Sequence, residues 1–404
     1  MSRILLVGLP DRPHSTEIVR SLHDHSYSVV TVDRAPPRWH GTVVEASIAV
    51  PSFGYEDVLQ AARQADRDRP IDGIGLFHEN WVEVSTLVAA ELGLPHLPTV
   101  QVAGCHDKHR MRCWMRAAGV HCPDFAAADD LGSALRAVAE LGYPVVVKPQ
   151  SGGASYGVTR VDDEAGLRAF FDHVDIFWHP RRFLLERYLP GAEVSLETVV
   201  DDDPTHLTLF EKPQVLEGPY FLEHTYVAPG RHEERTVRAV EAVVGDMVRR
   251  LGLRRVILHT ELRLTPEGPM VIEFGARPIG WPGPECVRQV TGVDELLVMA
   301  QLACGQSLDL RRAPLAGASG WRYLTVDRPG RVRAVTGYEQ ILRLPGLLSE
   351  SCWAEPGSEV GLPPEDFNYI KGFVAVAGDS PQEVAKVLAS VDVQLQVDHV
   401  ERVG

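Results

Sequence analysis

The sequence predicts an α/β chain with an α+β central part, and two observations carry that reading. Over residues 1 to about 104, short apolar runs with strand character alternate with amphipathic helical runs, as in a small parallel sheet flanked by helices. Beyond that, strand-like runs and helices continue to about residue 305, and short strands with Pro/Gly punctuation follow. At 404 residues the chain exceeds one ordinary core. Three domains are expected: 1–104, Rossmann-like; 105–305, the central part with a mobile Gly-rich lid; and 306–404, small and α+β.

The elements follow in order. ILLVG (4–8) reads as a buried strand, Ser15 to His23 as a helix, SVVTVD (28–33) as a strand and Tyr55 to Asp66 as a helix. IDGIGLF (71–77) is a third strand, and a helix from Trp81 closes at Leu92-Gly93. Gly8 opens G-L-P-D-R-P, which lacks the further glycines of a dinucleotide fingerprint. Asp107 is a helix N-cap, with Met111, Trp114, Met115 and Ala118 at helical spacing and Gly119 as the stop. A helix from Asp130 to Leu141, the strand PVVVKP (144–149), and the strands FLLERYL (183–189) and EVSLETVV (193–200) come next. A polar turn at 201–204 leads into THLTLFEK (205–212), and a long helix spans Glu234 to Leu251 with Gly252 as its stop. After about 305, Pro-Gly pairs punctuate short strands, followed by a helix from Pro381 and a last strand, VQLQVD.

Composition narrows the class. Apolar content of 45% and charged content of 24% are those of a soluble globular protein. A formal net charge of −15 argues against nucleic-acid or anionic-membrane binding, which calls for a basic surface. The six cysteines form no CxxC pair, so reduced thiols in a cytoplasmic protein are expected. The N-terminus has one basic residue and an apolar run of four, without the h-region of a signal peptide.

Chemistry concentrates in VILHTELRLTPEGPMVIEFGARP, which reads as a β-hairpin. Val256, Leu258, Thr260, Leu262 and Leu264 alternate with Ile257, His259, Glu261 and Arg263. With a five-residue loop, Thr265 to Pro269, Leu264 faces Met270 and Glu261 faces Glu273. Like charges opposed on a ladder destabilise it, so a cation is expected between them. Mg²⁺, a hard ion held by one or two carboxylates plus phosphates, fits, with Mn²⁺ an alternative. A solvated face carrying two acids would also explain the pair taken alone. Lys148 ends a β-branched strand and precedes a small, flexible loop: Ser151, Gly152, Gly153, Ser155 and Gly157. Such a loop lets backbone N–H groups approach a polyphosphate while the lysine supplies a point charge. Alone it would be a plain surface turn, and it is not a Walker loop because the lysine comes first.

Taken in order, these pieces resemble the ATP-grasp superfamily over roughly 105–305. The resemblance rests on Asp107-Lys108, Lys148 before the Gly-rich loop, Glu186-Arg187-Tyr188-Leu189, Glu193, and Glu261 with Glu273 ending in E-x-x-x-R at Arg277. It implies that Lys108 and Lys148 contact ATP phosphates under the 151–157 loop. It implies an adenine pocket at Glu186, Arg187, Tyr188 and Leu189, ribose binding by Glu193 and Mg²⁺ at Glu261 and Glu273. Many family members carry a further metal-binding Asn where this chain has Gly275, so the number of metal ions stays open. HTELRLTPEGPMVIEFGARPIG and the C-terminal segments look most like the L-amino-acid (dipeptide) ligase branch. The implied activity joins a carboxylate to an amine, amino acids among them, through an acyl phosphate with release of ADP and phosphate; a homodimer is one expected assembly. Arg277 would then hold the transferring phosphate or a substrate carboxylate. Glu223 and His224 are candidates for holding the amine or acting as base, and Trp281 for walling a side-chain pocket, although core packing equally suits Trp281. Rival readings are a carrier-protein thiol or carbonate as acceptor, and a silent nucleotide-binding module.

Overall fold

A computed structural model describes the chain except for residues 10–11, 36–43, 175–181, 214–217, 309, 311–312, 365, 368, 392 and 399–404. The first unit comprises β1 (Ser2–Val7), α1 (Pro13–Asp24), β2 (Tyr27–Asp33), β3 (Ala46–Ala49), α2 (Tyr55–Asp68), β4 (Gly73–Gly75) and α3 (Val82–Glu91). Its sheet runs β3-β2-β1-β4 with every pairing parallel, as the alternation requires. Leu5, Val7, Val30 and Val32 are buried against Val58, Ala62 and Val88 of α2 and α3. Strands covered on both faces read as continuous apolar runs, which is why ILLV and VVTV carry the signal. The short β3 escaped it.

Then come α4 (Thr99–His106), missed by the periodicity, and α5 (Lys108–Ala117). The Asp107 carboxylate accepts from the Arg110 N–H at 2.9 Å, the expected cap. A small antiparallel sheet, ordered β5-β8-β6-β7, is built from β5 (Phe125–Ala128), β6 (Val145–Pro149), β7 (Thr159–Val161) and β8 (Phe183–Arg187). It is backed by α6 (Leu131–Leu141) and α7 (Glu164–Val174).

The large sheet uses β9 (Ala192–Val200), β10 (Pro204–Lys212), β11 (Thr225–Ala228), β12 (Val256–Thr265) and β13 (Gly268–Gly275). Beneath it lies α8 (Glu234–Leu251), whose Val240, Val244, Met247, Val248 and Leu251 are buried. Each such side chain contributes about 1.5–3 kcal/mol on burial. Gly252, at φ 64°, ends the helix in the left-handed region that favours glycine. Two helices follow, α9 (Gly283–Thr291) and α10 (Glu295–Ala303). Beyond residue 305 come β14 (Ala318–Thr325), β15 (Gly330–Thr336), α11 (Tyr338–Ile341), β16 (Leu347–Cys352), β17 (Glu359–Val360), β18 (Ile370–Gly378), α12 (Pro381–Ala389) and β19 (Gln394–Asp398). Three of these strands continue the large sheet, ordered β13-β12-β9-β10-β11-β14-β18-β16, while β17-β15-β19 form a separate small one. Among the described residues no helix is long and apolar enough to cross a membrane.

The hairpin corrects the expected register. Thr265 pairs with Gly268, leaving a two-residue loop, and Leu264 opposes Pro269 rather than Met270. The register then slips by one between Glu261 and Leu262, where Ile272 is the extra residue, and Glu261 does oppose Glu273. A shorter loop and a bulge cancel. Bulges re-aim side chains near functional sites, and here the freed Ile272 carbonyl accepts a hydrogen bond from the Arg112 guanidinium.

Candidate functional site

A cleft opens between the small and large sheets and reaches the first unit at Glu79. Its floor is the odd-numbered face of β12 together with the neighbouring strands. Pairing sets the side chains in rows: Lys212, Glu193 and Arg263 in one, Ser195, Glu261 and Glu273 in the next, then Glu197, His259 and Gly275. Period-2 alternation within strands and direct opposition between them make this a lattice of alternating charge.

Cations do stand at the opposed glutamates, and they are protein side chains. Lys108 Nζ lies 2.8 Å from Glu273 Oε1, and Lys212 Nζ lies 3.0 Å from Glu261 Oε1 and 2.6 Å from Glu193 Oε1. Arg263 reaches Glu193 Oε2 at 3.0 Å. His259 bridges Glu197 Oε1 at 2.6 Å and Glu261 Oε1 at 3.3 Å. Burial opposes a charge on His259, yet Glu197 and Glu261 outweigh it and push its pKa up to about 10. Burial likewise opposes ionisation of Glu261, and Lys212 and His259 hold it well below the usual carboxylate range.

Lys148, at the end of β6, pairs with Glu186 of β8, which also pairs with Arg112 of α5; all three are buried. The two cations outweigh burial and keep the Glu186 carboxyl below its usual value. Glu186 therefore holds Lys148 in place. The Lys108 N–H donates to the Gln150 carbonyl at 2.7 Å, and its Nζ donates to the Gly152 carbonyl at 2.5 Å, tying α5 to the Gly-rich loop. In that loop Ala154 (φ 55°) and Ser155 (φ 53°) adopt the left-handed region, which disfavours residues with a Cβ.

Of the expected nucleotide residues, Lys108, Lys148, Ser151, Gly152, Gly153, Ser155, Glu186, Arg187, Tyr188, Leu189 and Glu193 all line the cleft. Gly157 lies past its edge, beside a separate pocket with Tyr220 and Phe367. Glu261, Glu273, Arg277 and Glu223 line it too. Arg277 donates from Nε to Glu79 Oε2 at 2.5 Å and from Nη1 to the Pro278 carbonyl at 2.9 Å. Burial is outweighed by Arg277 and His106, so the Glu79 pKa falls to about 2.

Two candidates stand elsewhere. The His224 ring accompanies Thr225 Oγ1 at 2.8 Å in a neighbouring side pocket, and burial with the nearby Arg322 lowers its pKa to about 4. Of the pair, Glu223 borders the cleft as well as the side pocket, and His224 borders the side pocket alone. Trp281 borders a groove with Glu17, Pro284 and Leu348, not the cleft, and packs against the core of β1 and α10. The aromatic wall comes instead from Tyr226, Trp321 and Tyr323.

The sequence also left Glu79, Arg112, Glu197, Lys212, His259 and Arg263 without roles. Glu197 and His259 share face and period with Glu193 and Glu261, a usable signal. Lys212 ends an alternating strand. Glu79 and Arg112 come from distant elements and carry no local mark.

The opposed carboxylates have the chemistry of a site for a hard divalent cation. Glu261 and Glu273 face each other across the ladder, and among the described residues no group of three or more His, Cys, Asp or Glu stands ready to hold a metal. A Cβ at Gly275 would come within 3.0 Å of Glu79 Oε2, so Glu79 fills the space that a longer residue there would need.

Residues 141–284 match the ATP-grasp domain family, and 322–399 match the L-amino acid ligase C-terminal domain 2. The chain carries an ATP-grasp domain followed by an L-amino acid ligase C-terminal domain. The ATP-grasp match contains Lys148, the Gly-rich loop, Glu186, Glu193, Glu261 and Glu273; Lys108 precedes it. The chain is similar to carnosine synthase 1 of Mus musculus, at 25% identity over 67% of this chain and 36% of that protein. It is also similar to the alanine–anticapsin ligase of Bacillus subtilis, at 24% identity over 61% of this chain and 57% of that one. The chain spans about half the length of the curated relatives it matches. The crystal structure of an L-amino acid ligase from Bacillus licheniformis superposes with a TM-score of 0.85, covering 99% of each chain at 24% identity, which shows the ATP-grasp fold.

Proposed function

We propose that the protein is an ATP-dependent ligase joining an amino-acid carboxylate to an amine, with ADP and phosphate as co-products. The observation that carries this is the convergence of two lysines, each held by a glutamate, with the opposed Glu261 and Glu273 in one cleft. Similarity to ligases that act on amino acids supports the substrate class.

Phosphoryl transfer asks chiefly for positioning and charge neutralisation. Lys108 and Lys148 would neutralise the phosphates, and the strained 151–157 loop would close over them and exclude water. Glu186, which holds Lys148, would act by positioning it. Arg187, Tyr188 and Leu189 would border the adenine and Glu193 the ribose. Glu261 and Glu273 would hold Mg²⁺, which supplies Lewis-acid neutralisation of the phosphates. With Glu273 engaged on that cation, Lys108 would be free to turn to the phosphates. A donor carboxylate oxygen attacks the γ-phosphorus, giving ADP and an acyl phosphate. Arg277, its fork set by Glu79 and the Pro278 carbonyl, would face the transferring group. The amine nitrogen then attacks the acyl carbon, the C–O bond to phosphate breaks, and Glu223 takes the nitrogen's proton. A neutral thiol or an anionic carbonate would meet the Glu223 carboxylate less favourably than an ammonium, and Glu223 thus favours the amine. The test is phosphate release from ATP and Mg²⁺ across a matrix of amino-acid donors and amines, with products weighed by mass spectrometry. Donor-dependent ATP consumption without any amide would overturn the ligase reading.

A further inference from the structure

The Gly-rich loop has a backbone that it cannot keep unaided. Ala154 and Ser155 both lie in the left-handed region, and such residues persist only where their surroundings hold them. Among the described residues the loop is held at both ends. Toward its start, Lys108 Nζ donates to the Gly152 carbonyl at 2.5 Å. Toward its end, the Tyr156 ring meets Phe367, with centroids 4.9 Å apart and planes at 44°. Phe367 is distant in sequence, in the segment between β17 and β18, and lies within the C-terminal domain match.

That segment also reaches the loop ahead of β11. Phe367 meets the Tyr220 ring edge-on at 5.9 Å, and the Tyr369 hydroxyl accepts from the Glu223 N–H at 2.8 Å. Offset and edge-on pairs of this kind are the favoured ring geometries. The loop is tied in turn to the strand that leaves the lid: the Arg160 N–H donates to the Pro219 carbonyl at 2.7 Å, and Thr159 bridges Tyr220. Phe221, the next residue, stacks with Tyr188 of the expected adenine border at 6.5 Å. Lid and Glu223 loop thus meet on Phe367 and Tyr369, neither of which lines the cleft itself.

We propose that Phe367 and Tyr369 are positioning residues that form a clasp. Phe367 holds the lid shut through Tyr156 while Tyr369 fixes Glu223, so closure over the nucleotide and placement of Glu223 occur together. The contacts stand without the ligase reading; their consequence for turnover rests on it. An acyl phosphate formed under the lid has two fates. Attack of the amine nitrogen on the acyl carbon gives the amide and phosphate, whereas attack of water there returns the donor carboxylate and phosphate. A lid without its clasp admits water, so ATP is consumed without amide.

The test compares wild type with Tyr156→Ala, Phe367→Ala, Phe367→Tyr and the double alanine variant, all as the full chain. ATP, Mg²⁺, an amino-acid donor and an amine are supplied, and phosphate and amide are followed together. Tyr156 is 39% exposed, so its truncation spares the core. Each alanine variant should raise the phosphate released per amide by roughly fivefold or more, with the double variant no worse than either single one. Phe367→Tyr, which keeps the ring, should keep the wild-type ratio. An unchanged ratio in Tyr156→Ala, or effects that multiply in the double variant, overturns the clasp. Hydrogen exchange with Mg-ADP bound separates this from the ligase reading, because it needs no turnover. Phe367→Ala should speed exchange at the amides of residues 152–157 and of Glu223, and wild-type protection at either site overturns the clasp. Faster exchange at both, with no amide from any substrate pair, keeps the clasp and removes the ligase reading.

Discussion

On the side of Lys108 and Lys148, each cation of the cleft touches a carboxylate; on the side of Glu223, a carboxylate without an ion pair among the described residues stands near Tyr226, over whose ring Lys212 lies at 5.1 Å. The first arrangement waits for a polyanion, which can exchange with the glutamates for the lysines. The second waits for a cation. One sheet face supports both because pairing between β9, β10 and β12 interleaves acids and bases, and only the edge toward β11 and β14 breaks the alternation. Opposite electrostatic tasks thus sit within one cleft without cancelling each other.

The largest test of that contrast is Glu273→Gln. Loss of a carboxylate from the pair should lower turnover on the order of 10³-fold at saturating Mg²⁺. Two opposed carboxylates with nothing between them would lead one to expect a more stable variant without metal. Lys108 at 2.8 Å reverses that expectation: the variant strips a buried lysine of its counter-charge, so its melting temperature without metal should fall. Turnover near wild type would remove Glu273 from the metal site.

Next in size is Arg277→Lys. It keeps the charge but not the fork that Glu79 and Pro278 orient, and kcat should drop on the order of 10²-fold with ATP affinity nearly unchanged. Steady-state rates beside calorimetric titration of Mg-ATP read both. Lost affinity with unchanged kcat would make Arg277 a nucleotide residue.

Lys212→Met tests the interleaving itself. Buried between Glu193 and Glu261, Lys212 has a charge that these carboxylates favour more than burial opposes. Its loss should cost about 3 kcal/mol of stability in urea unfolding. A cost below ~0.5 kcal/mol, the level of an exposed pair, would show that the row is not electrostatically tied.

A smaller effect is expected from Glu79. Its pKa drops from a usual 4.5 to about 2 in the folded chain, so the stability it contributes is present above 4.5 and is lost as pH falls toward 2. Melting temperatures of wild type and Glu79→Gln should differ most near neutrality and converge below pH 4. A constant difference over that range would mean that the Arg277 pair is not what lowers this carboxyl.

The same division separates what could be read in the sequence from what could not. The phosphate side follows local rules: a strand ending in lysine, a Gly-rich turn, a capped helix, and a hairpin whose period sets the faces of its glutamates. These depend on neighbours a few residues apart. The hairpin register shows the limit, since loop length and bulge are separate unknowns and only their sum governs Glu261 against Glu273. The side of Glu223 brings Tyr226 together with Trp321 and Tyr323 from strands nearly a hundred residues apart, joined because β11 pairs with β14. Nothing near Trp321 in sequence marks it, whereas Trp281, close to the Arg277 motif, drew attention and lies in another groove. The three-part division of the chain likewise followed punctuation, while hydrogen bonding carries the large sheet past residue 305.

The most direct measurement follows oxygen. A donor amino acid labelled with ¹⁸O in its carboxylate is turned over with ATP, Mg²⁺ and an amine, and the products are resolved by mass. Attack of the carboxylate on the γ-phosphorus predicts one labelled oxygen in inorganic phosphate, with ADP unlabelled. Label in AMP, together with pyrophosphate, would mean attack at the α-phosphorus and would contradict the account.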